Sequence, residues 1–150
     1  MCKKLPTTAP TSLKHKPIYT INRYAKVDRS YDKPTDVVAL SIGKAQWAQE
    51  DFDVGVKVWR YKGRFSRQSE ETTITRALDM ATLIVKVLDK HYNGAEIQPV
   101  KSIYGKMEID AVGKDSEDFE KFDTFLQEHN DDITAHLAIL YDALYAYMNR

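Results

Sequence analysis

The clearest alternation of apolar and polar positions lies between Val37 and Tyr61. In its first run Val38, Leu40 and Ile42 fall on one side, with Val37, Ala39 and Ser41 on the other. A period of two marks a strand, because successive side chains on extended backbone point to opposite faces. Acidic Glu50, Asp51 and Asp53 interrupt the pattern and predict a hairpin connection. A second run then sets Val54, Val56 and Val58 against Gly55, Lys57, Trp59 and Tyr61, the pattern of a half-buried antiparallel strand. A third, with Met107, Ile109 and Ala111 opposite Lys106, Glu108 and Asp110, predicts another strand, kinked at Gly105.

Elsewhere the period is helical. Ala77, Leu78, Ala81, Ile84, Val85 and Leu88 share one stripe, and Met80, Leu83 and Val87 widen it. Only Arg76, Asp79, Lys86 and Lys90 ask for water, so this central helix is expected to be buried. Thr72 or Thr73 suits its start, and Asn93-Gly94 its end. Phe119, Phe122, Phe125 and Leu126, behind Asp115 or Ser116, predict a second helix. Ile133, Leu137, Leu140, Tyr141, Leu144 and Met148, behind Asp131 or Asp132, predict a third. The expected fold is α+β: a small antiparallel sheet of about three strands packed against a long buried central helix and two C-terminal helices. Residues 1–16, punctuated by Pro6 and Pro10, are expected to be a flexible segment, and 17–150 a single domain.

Composition narrows the function classes. With 43% hydrophobic and 29% charged residues the chain is globular rather than disordered. One cysteine, Cys2, allows no internal disulfide. No run reaches the roughly 18 apolar residues of a membrane span, and the opening MCKKLPTTAPTS lacks the apolar core of a signal peptide. A cytoplasmic protein is expected. Lys/Arg and Asp/Glu balance at 22 each, but unevenly along the chain. Residues 1–33 carry eight basic and two acidic side chains, and residues 113–150 three basic and nine acidic. A basic head on a chain with an acidic tail does not single out nucleic acid as a partner; the bland reading is two solvated faces.

Candidate chemistry gathers between the second strand and the central helix. Arg60, Arg64, Arg67 and Arg76 surround Ser66, Gln68, Ser69 and Glu70 at a helix start. Free backbone N–H groups and the positive end of the helix dipole favour an anion there, and arginine adds bidentate donors for phosphate or carboxylate. The competing reading is an internal Arg–Glu network through Glu70 and Glu71. The phosphate-loop pattern is absent. In EHNDDITAH, Asp132 and His136 share a helix face, but no second ligand cluster accompanies them, so no metal is assigned. His91 suits a dipole partner at the end of the central helix, and His15 lies in the flexible head. Ser66 and Ser69 have no base nearby in sequence, so no catalytic residue and no cofactor is assigned.

The stretch RFSRQSEETTITRALDMA, with PIY and AQW upstream, resembles an uncharacterised family of small bacterial proteins, a domain of unknown function. The resemblance implies a bacterial or phage origin and no assigned activity.

Three functions remain. The first is a non-enzymatic binding protein that takes a phosphorylated or otherwise anionic small molecule through Arg60–Arg76. The second is a protein-interaction module, inhibitor or antitoxin-like. The third is an enzyme whose histidine and acidic groups converge only in the fold. The last helix carries more apolar surface than one face needs, including Tyr141, Tyr145 and Tyr147, so a homo-oligomer through it is expected.

Overall fold

A computed structural model of the chain describes residues 5–28, 35–66 and 70–150. It falls into two compact units, the first ending at Ala81 and the second running from Thr82 to Arg150.

The first unit is a four-stranded antiparallel sheet in sequential order: β1 (Lys16–Ile21), β2 (Val37–Lys44), β3 (Val54–Arg60) and β4 (Glu70–Thr72). β2 and β3 form the hairpin anticipated from the acidic break, with Leu40 opposite Val58 and Ser41 opposite Lys57. β1 and β4 were not legible as strands. β1 carries a bulge between Pro17 and Tyr19, where the β1 backbone comes so close to Gly43 that a Cβ there would overlap the Lys16 carbonyl. β4 is only three residues long and pairs with Val56–Val58.

The faces of β3 are the reverse of what its valines suggest. Gly55, Lys57 and Trp59 are buried, together with Ala39 and Ser41, while Val54, Val56 and Val58 are half-exposed. Residues ahead of β1 explain the reversal, because they cover the polar-looking face. Arg23 N–H donates to the Thr7 carbonyl at 2.7 Å, Ala9 N–H donates to Asn22 Oδ1 at 3.3 Å, and Ala9 and His15 are buried. Segment 5–15 is thus anchored to the sheet at Ala9 and His15, while most of its other residues are exposed. Trp59, Ala9, Val38 and Ala39 make the core, with Tyr61 and Phe65 against it.

Helix α1 (Ile74–Asn93) starts where expected: Thr73 Oγ1 accepts from Arg76 N–H at 3.2 Å. It ends at Gly94, whose φ of 73° needs no Cβ. The helix is less buried than its sequence implies. Leu88 alone is buried, while Leu78, Met80, Leu83, Ile84 and Val85 are exposed. Its apolar positions run round more of the circumference than its neighbours cover.

In the second unit the alternating run near Gly105 is a hairpin of its own, β5 (Val100–Ser102) with β6 (Gly105–Met107), turning through Ile103-Tyr104. The kink anticipated at Gly105 is therefore a chain reversal, and φ of 143° explains the glycine. Helices α2 (Asp118–Glu128) and α3 (Asn130–Met148) are separated by His129 alone. No helix among the described residues is long and apolar enough to cross a membrane.

Candidate functional site

The most connected polar group lies on the covered face of the sheet. His15, just ahead of β1, and Glu71 of β4 have fully enclosed side chains and meet at His15 Nδ1. His15 Nε2 lies 2.9 Å from Ser41 Oγ of β2, and the Trp59 indole of β3 reaches the same oxygen at 2.8 Å. Donor and acceptor roles follow from the chemistry. An indole N–H can only donate, so Ser41 accepts from Trp59 and turns its own proton to Nε2. His15 then keeps its proton on Nδ1 and donates it to Glu71. Gln46 N–H donates to the two carboxylate oxygens at 3.2 and 3.3 Å. β2, β3, β4 and the segment leading into β1 each supply one side chain to this relay.

Two neighbours complete it. Gly55 makes room for the carboxylate, since a Cβ there would run into Glu71. Lys57 pairs in register with both Ser41 and Glu71, and its ammonium lies 4.7 Å from the Trp59 ring centroid. Burial pushes the Lys57 ammonium below its ordinary range, and the Glu71 charge acts in the opposite direction.

Serine, imidazole and carboxylate stand here in the order of a nucleophilic triad. The setting differs. Ser41 is only 8% exposed, its oxygen already accepts from Trp59, and it lies in mid-strand, paired with both β1 and β3. A triad needs N–H groups free to hold an oxyanion, and a strand between two partners commits its own to the ladder. What this arrangement does chemically is clasp the N-terminal segment to the sheet. Sequence reasoning missed it because Ser41 and Glu71 lie 26 and 56 residues from His15. One signal was present: Ser41 and Lys57 share a face with Trp59 in otherwise apolar strands.

The arginine-rich stretch is more ordered than a plain loop. Tyr61 and Phe65 bridge across a turn at Gly63, and Ser66 N–H returns to the Arg60 carbonyl at 2.9 Å. Phe65 lies edge-on to Trp59 at 5.8 Å and to Tyr61 at 5.2 Å. Arg60 is held between Asp36, at 2.6 Å, and Glu70. The Glu70 hydrogen bond raises the already high guanidinium value further, against burial, with Asp36 adding to it. Burial works to raise the Asp36 carboxyl, but Arg60 and Lys62 together hold it below its ordinary range. So Arg60 and Glu70 form the internal pair of the competing reading. Arg64 is exposed at the turn and Arg76 is exposed in the first turn of α1. Arg67, Gln68 and Ser69 lie outside the described residues.

In the second unit His91 pairs with a specific carboxylate rather than with the helix end alone: its Nδ1 lies 2.8 Å from Asp123 Oδ1 of α2. The His91 hydrogen bond holds the Asp123 carboxyl below its ordinary range, with burial opposing and Gln127 assisting. Gln127 Nε2 also donates to the His91 carbonyl at 3.1 Å, and Tyr92 Oη donates to the Leu126 carbonyl at 2.6 Å. Asp132 and His136 come within 3.6 Å, but no group of three metal-ligating side chains occurs among the described residues.

A small α+β protein with a clasped antiparallel sheet and a helical second unit is the class these features define. The chain belongs to DUF6530, a family of unknown function, whose model matches residues 7–149. No curated protein and no solved structure matches it.

Proposed function

We propose that this chain is a non-enzymatic protein-interaction module of the cytoplasm, and that it pairs with a second copy of itself through α3. One observation carries the reading: none of the 19 residues of α3 is buried. Leu140, Tyr141, Leu144, Tyr145 and Met148 are all exposed, and they recur at the spacing of a single helical seam. A contiguous apolar patch on a helix marks an interaction surface, and tyrosine suits one because its ring is apolar and its tip polar. An antiparallel pair fits the charges. It brings Arg150 of each copy near the acidic first turn, Asp131 and Asp132, of the other, and opposes the two helix dipoles.

Light scattering at micromolar concentration tests the reading. A dimer mass is expected in both low and high salt, because apolar burial outweighs the screened charge contacts. Leu144→Glu should return the monomer mass while leaving the circular dichroism spectrum unchanged. A wild-type monomer under both conditions sinks the proposal.

A second reading rests on the exposure of Arg64, at the turn at Gly63, and of Arg76, in the first turn of α1. These two would serve as donors to a phosphorylated small molecule, Arg60 being engaged elsewhere. Thermal melting against nucleotides, cyclic nucleotides and sugar phosphates decides it. A ligand at 100 times its Kd should add about 2.7 kcal/mol, and a panel with no shift ends this reading.

A further inference from the structure

We propose that the cavity lined by His91 in the second unit binds a small, mainly apolar molecule carrying one hydroxyl, which donates its proton to His91 Nε2. The cavity has a volume of about 370 Å³ and lies among the end of α1, the segment 109–116 and α2. Its walls are apolar: Val87, Ile97, Ile109, Val112, Phe119 and Phe122. The volume falls at the lower end of the range for small-molecule sites, about 300–1,000 Å³. It suits a body of roughly alkylphenol size.

The polar group that orients a ligand is the imidazole. The His91 ring is wedged against Phe119 and Phe122, with centroids 5.7 and 5.2 Å away. Its side chain is 8% exposed, so the ring has little freedom to turn. Asp123, at 2.8 Å, accepts the Nδ1 proton and so fixes the tautomer. In that tautomer Nε2 is an acceptor, and it has no hydrogen-bond partner among the described residues. A ligand hydroxyl supplies the missing donor.

Two further observations favour a neutral alcohol or phenol over an anion. The charged residues lining the cavity balance, Lys90 and Lys114 against Asp110 and Asp118. The other hydroxyl of the lining, Ser116, is already spent on the Gly113 carbonyl at 2.7 Å, so it does not compete for Nε2.

Calorimetric titration of the full chain at pH 8 with 4-propylphenol, 4-propylanisole and 4-propylbenzoate tests the site. These probes share a body and differ only in the polar end. The phenol should bind about tenfold more tightly than the methyl ether, the effect of one hydrogen bond, and the benzoate should bind no better than the ether. His91→Phe should bind phenol and ether alike. Nitrogen NMR of the wild-type imidazole gives a second readout that needs no variant: phenol should shift Nε2 and leave Nδ1 nearly still. The proposal is overturned if the phenol does not bind, or if the ether or benzoate matches it. It is equally overturned if the preference survives in His91→Phe, or if Nε2 does not respond.

Discussion

His15 and His91 each offer Nδ1 to a carboxylate, and the two sites part at the other nitrogen. At His15, Nε2 is taken by Ser41, which is in turn held by Trp59, and the pair with Glu71 has no exposure at all. At His91, Nε2 has no such partner among the described residues, the ring borders a cavity, and Asp123 is 44% exposed. A histidine–carboxylate pair is therefore not a function by itself. Closed at both nitrogens it is a fastener, and open at one it leaves an acceptor beside a cavity.

The largest expected effect breaks the fastener. His15→Ala leaves the Glu71 carboxylate and the Ser41 hydroxyl without their partner, beside a new gap against Trp59. Removing one member of a buried pair costs about 3–5 kcal/mol. Urea unfolding should show a loss of that size, whereas His91→Phe, which keeps a ring against Phe119 and Phe122 and leaves Asp123 in water, should lose far less. Equal losses for the two variants would erase the distinction.

A smaller effect sharpens the relay. Ser41→Ala strands the Trp59 indole N–H and His15 Nε2 together, at about 1–3 kcal/mol. Near-ultraviolet circular dichroism should report the freed indole. An unchanged melt and spectrum would show that Ser41 does not link the two.

The smallest effect is in pH. Asp123 has a carboxyl held below its ordinary 3.8 by His91. A depressed carboxyl contributes stability that is present above the unfolded value and lost as pH falls through the lower folded value. The wild type should therefore lose stability over that acid range, and Asp123→Asn should show a shallower decline there. Parallel pH–melting curves would remove Asp123 from the account.

What the sequence revealed follows the range of the interactions. β2, β3, α2 and α3 announce themselves through local periods, and Thr73 and Gly94 delimit α1 through local chemistry. β4 has three residues, too few for a period, and most of β1 is exposed. The covered face was misjudged for a related reason. Val56 and Val58 look like core and Lys57 like surface, but residues 5–15, far off in sequence, decide which face is covered. Within the arginine stretch the Arg60–Glu70 pair was legible, because ten residues and one turn separate its members. The His91–Asp123 pair spans 32 residues and no spacing rule reaches it.

The clasp also sets an order of events during synthesis. His15 must wait for Glu71, made 56 residues later, which at ribosomal speed is about 3 to 11 seconds. Until then three strands can line up, but the imidazole destined for their covered face has no carboxylate to receive its proton. A growing chain that stops short of β4 should therefore stay open to proteases along residues 5–15, and closure should come as one late step when Glu71 arrives.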